Sequence, residues 1–246
     1  MKDIVVFLIT SGLTCQVGER CLDTLKRTDL SKAELFIAQG VSFGPAGAAD
    51  RLNALLLYAK GRPSVFVHDV IVDDYDWVEK LFKASSKAGS LVTGCLREAD
   101  ESGHTVAGLF PKPSSEAEFI TSFPAGGEDY LYIPSVVEGV MAVSDSNALR
   151  FDNKVGELYL EMDYSLQAWS AGERVAASTD LMVRHAGRPH RYGPKAFDTA
   201  VVESEKSAEK SYDTEFASKW SGFLEGSLLS KEGLEYLSPA FGLHRE

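Results

Sequence analysis

Runs of apolar residues, broken by glycine or charge, alternate along this chain with stretches whose apolar residues recur every three or four positions. Residues 4–10 (IVVFLIT) are apolar and rich in β-branched side chains, as in a strand buried on both faces of a parallel sheet, and the run stops at Ser11-Gly12. Over 16–27 the spacing of Val17, Cys21, Leu22 and Leu25 predicts a helix, and 33–38 (AELFIA) predicts a second strand, completing a β-α-β unit. A glycine-rich loop follows Gln39, and then a helix is expected over 50–59, with Leu52, Leu55, Leu56 and Ala59 as its stripe. A third buried strand, 64–67, ends at His68-Asp69. A helix over 76–87 and a fourth strand over 90–94 come next.

The region 95–135 is rich in glycine, proline, serine and charge, and reads as a long excursion or a hairpin. Apolar character returns over 136–143, and Phe151-Asp152-Asn153 makes a turn. A helix over 163–171 closed by Gly172, then a strand over 175–183, complete the pattern. From Ala196 onward the sequence is helical, acidic and lysine-bearing. No repeat interrupts this order, which sets solenoids aside.

Length and charge narrow the picture. At 246 residues with 44% hydrophobic content, the chain can bury one large core and sits near the upper size for one. The net charge of −11 argues against nucleic acid as the main partner, because a polyanion held through its phosphates calls for a basic face. An acidic protein that holds an anionic nucleotide needs a cation or a cluster of backbone donors, and a divalent metal meets that need. Cys15, Cys21 and Cys95 are odd in number and lack zinc-type spacing, which fits a reducing cytoplasm better than a disulfide framework. The opening apolar stretch is too short to span a bilayer and reads as the first strand.

Candidate chemistry gathers at the strand ends, since ligands of open parallel sheets bind beyond the carboxyl edge. His68 and Asp69 lie there, whereas Asp73, Asp74 and Asp76 read as loop and helix-start residues. Glu161 just precedes and Asp163 opens the 163–171 helix, and carboxylates there favour a helix N-terminus. His185 ends the run DLMVRH, just after the expected strand. Trp77, Trp169 and Trp220 read as packing residues.

Four segments, GAADRLNALLLYAKG (47–61), VFVHDVIV (65–72), EGVMAVSDSNALRFDNKV (138–155) and LEMDYSLQAWSAGERVAASTDLMVRHAG (160–187), together resemble family 2 inverting glycosyltransferases. The branch they resemble carries His-Asp in place of the more usual Asp-X-Asp. The resemblance implies an α/β protein of the GT-A (nucleotide-diphospho-sugar transferase) fold. Its mixed, mostly parallel sheet flanked by helices is expected in a catalytic domain over 1–195, with a C-terminal helical appendage over 196–246.

The same resemblance implies the site. Asp69, with His68 beside it, falls where the family binds the metal that bridges the donor diphosphate, and His185 falls where relatives complete the metal site. Glu161 falls on the position of the base and Asp163 on the second acidic position, so either carboxylate is a candidate base. Thr10, Ser11 and Gly12 correspond to the pocket for base and ribose, and Gln39 stands where relatives carry an acidic base-reading residue. Arg51 and Asn53 match donor-contacting positions, and Glu138 and Gly139 match the acceptor-side Asp-Gly. The implied cofactors are Mn2+ or Mg2+ and a UDP-, GDP- or dTDP-sugar. The implied acceptor is a hydroxyl on a glycan, a lipid-linked sugar or a modified base. Two other readings share such a sheet: a sugar nucleotidyltransferase, which the chain's lack of a glycine- and arginine-rich loop after the first strand disfavours, and a sugar-nucleotide-binding module without turnover.

Overall fold

In a computed structural model of the chain, the residues described are 3–10, 16–39, 45–68, 70–98, 105–111, 117–120, 129–137, 139–156, 159–185 and 214–224. Strand β1 (Ile4–Thr10) pairs in parallel with β2 (Ala33–Gln39) on one side and β3 (Ser64–Val67) on the other. Helix α1 (Gln16–Leu25) connects β1 to β2, and α2 (Pro45–Ala59) connects β2 to β3. The sheet continues through β10 (Val140–Val143), β5 (Val92–Glu98) and β11 (Val175–His185) to β4 (Val70–Ile71) at its far edge. β11 runs parallel to β5, whereas β10 is antiparallel to both of its neighbours. The sheet is therefore mixed and mostly parallel, as expected. Two short strands, β6 (Thr105–Val106) and β9 (Tyr130–Tyr132), pair antiparallel to β5 and β11. Within the long middle region, β7 (Gly108–Pro111) and β8 (Ala117–Ile120) form a separate antiparallel pair.

The continuous apolar runs explain the layers. Along β1, Val5, Phe7 and Ile9 face one core while Val6 and Leu8 face the other. The first core is closed by α2, by α4 (Leu160–Ser170) and by a helix α5 over 214–224, through Leu52, Leu56, Leu166, Phe216 and Trp220. The second is closed by α1 and by α3 (Trp77–Ala88), through Cys21, Leu25, Trp77 and Leu81. Trp77 is fully buried, and its indole N–H donates to Thr28 Oγ1 at 3.0 Å. Cys95, in the middle of the sheet, is a free thiol that burial pushes up to about 12, and Cys21 is likewise buried and free.

Element boundaries differ from the sequence pattern at informative places. α2 begins at Pro45, inside the stretch expected to be a glycine-rich loop. Proline suits the first helical position, the alanines around Gly47 favour helix, and a Cβ at Gly47 would meet nothing within 4 Å. β5 runs on to Glu98, four residues past the expected end, and β11 reaches His185. α4 starts at Leu160 instead of 163, which brings Glu161 into its first turn. The strand expected over 136–143 is confined to β10, because Ser135 bridges to Leu109 and the chain turns before Val140. Of the helical region expected from Ala196 onward, α5 is the part among the described residues. Among the described residues, no helix is long and apolar enough to cross a membrane.

A partly exposed ion cluster ties α3 to the segment leading into β9: Lys83 Nζ lies 2.9 Å from Asp129 Oδ2, and Lys87 pairs with the same oxygen. Hydrogen bonds from Lys87 and Lys83 hold the Asp129 carboxyl down at about 2. Because that folded value lies below the ordinary 3.8, the stabilisation is full above 3.8 and is lost as pH falls through about 2. Thermal melts across pH should show Asp129→Asn melting below wild type at neutrality, with the two curves converging near the acid end.

Candidate active site

The carboxyl edge of the sheet is where separate elements meet. β3 ends at Val67, and the next residue keeps the pairing going: His68 N–H donates to Gly139 O at 2.9 Å, just before β10 begins. Since β10 is antiparallel, its start abuts the end of β3. Gly139 has φ +124°, and a Cβ there would sit 2.6 Å from Val70 Cγ1 and 3.8 Å from His68 O. Only glycine fits this backbone and this approach.

The alternation of β3 sends Phe66 into the core shared with α4, and His68, two residues on, follows it. Its Nε2 lies 3.1 Å from Glu161 Oε1, and both side chains are mostly enclosed, at 20% and 17% exposure. The helix presents Glu161 from its first turn, where carboxylates interact favourably with the N-terminal dipole. Ser165 Oγ donates to Glu161 O at 2.7 Å, bracing that turn from inside.

Asp163 occupies a different place. Residues two apart on a helix do not face each other, and Asp163 is fully buried on the side of α5. Three donors converge on it: Lys219 Nζ at 2.8 Å, Trp220 Nε1 at 2.7 Å and Gln167 Nε2 at 2.7 Å. Burial pushes its carboxyl up from the ordinary range, against the pull of Lys219, Trp220 and Gln167. The two acidic residues of one motif thus serve opposite sides of α4.

The remaining candidates spread along the same edge. β4 pairs antiparallel with the end of β11, setting His185 opposite Val70 and Arg184 opposite Ile71. The backbone of His185 is thereby next to the 68–70 corner, while its side chain, Asp69, Glu138, Ser11 and Gly12 lie outside the described residues. Thr10 is buried at the end of β1, directly across from Gln39 at the end of β2. Arg51 is exposed on α2. Asn53 is engaged structurally: its amide donates to Phe151 O at 2.9 Å and accepts from Phe151 N at 2.8 Å, fastening α2 to the segment before α4. Among the described residues, no three of His, Cys, Asp and Glu converge closely enough to hold a metal ion.

Sequence reasoning missed Arg97. It stands near the end of β5 at 7% exposure, the one buried cationic side chain among the described residues, with its Cδ 3.9 Å from where a Cβ on Gly139 would lie. The signal was a solitary arginine directly after an apolar run, at the carboxyl end of a strand. Expecting that strand to stop at 94 hid it. The α5 contacts to Asp163 were missed as well, though Phe216, Trp220 and Leu224 recur at four-residue spacing in a pattern that marks a buried helix face.

The fold is of the GT-A type, a mixed α/β sheet flanked by helices. The crystal structure of GalNAc-T7 with UDP, GalNAc and Mn2+ aligns with a TM-score of 0.57 at 12% identity, covering 98% of this chain and 58% of that one. The crystal structure of A197 from STIV aligns with a TM-score of 0.50 at 12% identity, covering 74% of this chain and 84% of that one. This chain thus spans 58% of the length of GalNAc-T7, and at such identities the likeness is one of fold. No family model matches the chain, and no curated protein does.

Gly139→Ala should destabilise the fold by about 2 kcal/mol or more, because the new methyl meets Val70 at an unfavourable φ. Urea denaturation checks it: a midpoint unchanged from wild type would mean that the 68–70 corner yields freely.

Proposed function

We propose that this chain is a metal-dependent glycosyltransferase that moves a sugar from a nucleotide-diphosphate donor to an acceptor hydroxyl with inversion. The observation that carries the proposal is the meeting of His68 and Glu161, at 3.1 Å, on the carboxyl edge of a GT-A sheet. The finer placement in family 2, in the branch with His68-Asp69 for Asp-X-Asp, belongs to the same proposal.

In this reading Glu161 is the base. The acceptor oxygen attacks the anomeric carbon, the bond from that carbon to the phosphate oxygen breaks, and the nucleoside diphosphate leaves with the bonding pair. The acceptor proton passes to Glu161. His68, hydrogen-bonded to the same carboxylate, fixes its direction. Asp163 is the less suitable base, since it is enclosed and already bound by Lys219, Trp220 and Gln167. Glu138 and Gly139 stand on the acceptor side in this reading, with Val70 packed against Gly139 itself.

Carboxylate and imidazole are residue types that suit a divalent cation. Asp69 and His185 would hold it, and when bound it supplies positive charge against the diphosphate. Thr10, Ser11, Gly12 and Gln39 frame the base and ribose, with Arg51 on the donor side. Asn53, whose amide holds Phe151, contributes by keeping α2 in place. UDP and Mn2+ in the GalNAc-T7 crystal make a UDP-sugar with Mn2+ the first pair to try.

The test is nucleotide release from UDP-, GDP- and dTDP-sugars with Mn2+, with and without chelator. One donor should be hydrolysed only with metal, and Glu161→Gln should slow release by about a hundredfold or more. Release that ignores both chelator and Glu161→Gln would sink the proposal. Pyrophosphate as product would identify a nucleotidyltransferase instead, and binding without turnover, even with acceptors added, a binding module.

A further inference from the structure

Helix α4 has a weak start. Its N-cap position is Tyr159, which makes no side-chain capping hydrogen bond, although a Ser, Thr, Asp or Asn there would satisfy one of the free N–H groups of the first turn. A first turn without a side-chain cap tends to fray, and this one carries Glu161. The 3.1 Å hydrogen bond to His68 needs that turn to be held in place.

The support comes from α5. The Tyr159 ring stacks on Phe216 with centroids 5.1 Å apart. One turn later, Asp163 takes the Lys219 ammonium and the Trp220 indole N–H. Lys219 also reaches Asp152 Oδ2 at 2.8 Å, in the segment that leads into α4, and its ammonium lies 5.2 Å from the Trp220 ring. Phe216, Trp220 and Leu224 are all buried, so the helix is seated in the core and not merely laid on it. These contacts bracket the first turn from residue 159 to residue 163, with Glu161 between them on the other face.

We propose that α5 is a positioning element of the active site: by gripping Tyr159 and Asp163, it holds the first turn of α4 so that Glu161 meets His68. Lys219 and Trp220 are its positioning residues, and neither touches the reacting groups. The inference rests on the reading of Glu161 as the reacting carboxylate for its effect on turnover, but the geometric claim is testable without activity.

The experiment follows the imidazole 15N signals of His68 in the full chain, assigned by their loss in His68→Gln. Glu161→Gln shows where they move when the partner changes. Lys219→Met and the milder Trp220→Phe should move them in the same direction while near-UV circular dichroism stays native, and Lys219→Arg should restore the wild-type position. In donor hydrolysis with Mn2+, the first two should lower kcat by roughly ten- to a hundredfold, with the donor KM changed by less than about twofold. Natively folded Trp220→Phe and Lys219→Met proteins with wild-type His68 signals would overturn the proposal. If the His68 signals move but the wild-type protein consumes no donor, the positioning stands and the transferase reading falls.

Discussion

Inserting the antiparallel strand β10 between the parallel strands β3 and β5 sets the beginning of one strand against the end of another. A purely parallel sheet would leave the edge beyond Val67 lined by strand ends alone. Here Gly139 arrives from the opposite direction and accepts the His68 N–H, so the 68–70 corner has a backbone partner before any side chain is considered. The tight approach of Gly139 to Val70 then fixes how far the corner can shift. β4, paired with the end of β11, closes it from the far side and brings His185 alongside.

How much of this was legible in the sequence follows from the range of the forces involved. The strands β1, β2 and β3 could be read from their apolar runs, because burial on both faces leaves an unbroken record in the chain. The starts of α2 and α4 could not. Gly47 hides a helix whose alanines and Pro45 favour it, and the Tyr159 end of α4 lacks the polar cap that would have announced it. The resemblance to family 2 transferases placed His68, Asp69 and Glu161 in one neighbourhood. It did not separate Glu161 from Asp163, because only the helical register puts one toward His68 and the other toward Lys219 and Trp220. A hydrogen bond between residues 93 positions apart leaves no local trace.

Helix α4 shows how a single amphipathic logic can be divided. Most of its residues are buried, so it has no broad solvent face and most of its polar groups are partnered within the protein, the buried Tyr164 hydroxyl excepted among the described residues. Ser165, Gln167 and Asp163 find partners within the fold, and Glu161 does so at the carboxyl edge of the sheet. Asp163, the one buried acidic side chain among the described residues, lies where helix α5 delivers a cation and an indole. Removing either side would leave the other without compensation, which is why such pairs tend to persist once established.

Cys95, deep in the sheet, has a consequence of a practical kind. A thiol pushed up to about 12 exists almost entirely in its protonated form near neutrality, and burial keeps reagents away from it. An alkylating agent would therefore reach it only when the strands around β5 part. The native sulfur is a gauge built into the centre of the molecule: where reclosing outpaces alkylation, it reads the fraction of time the sheet stands open.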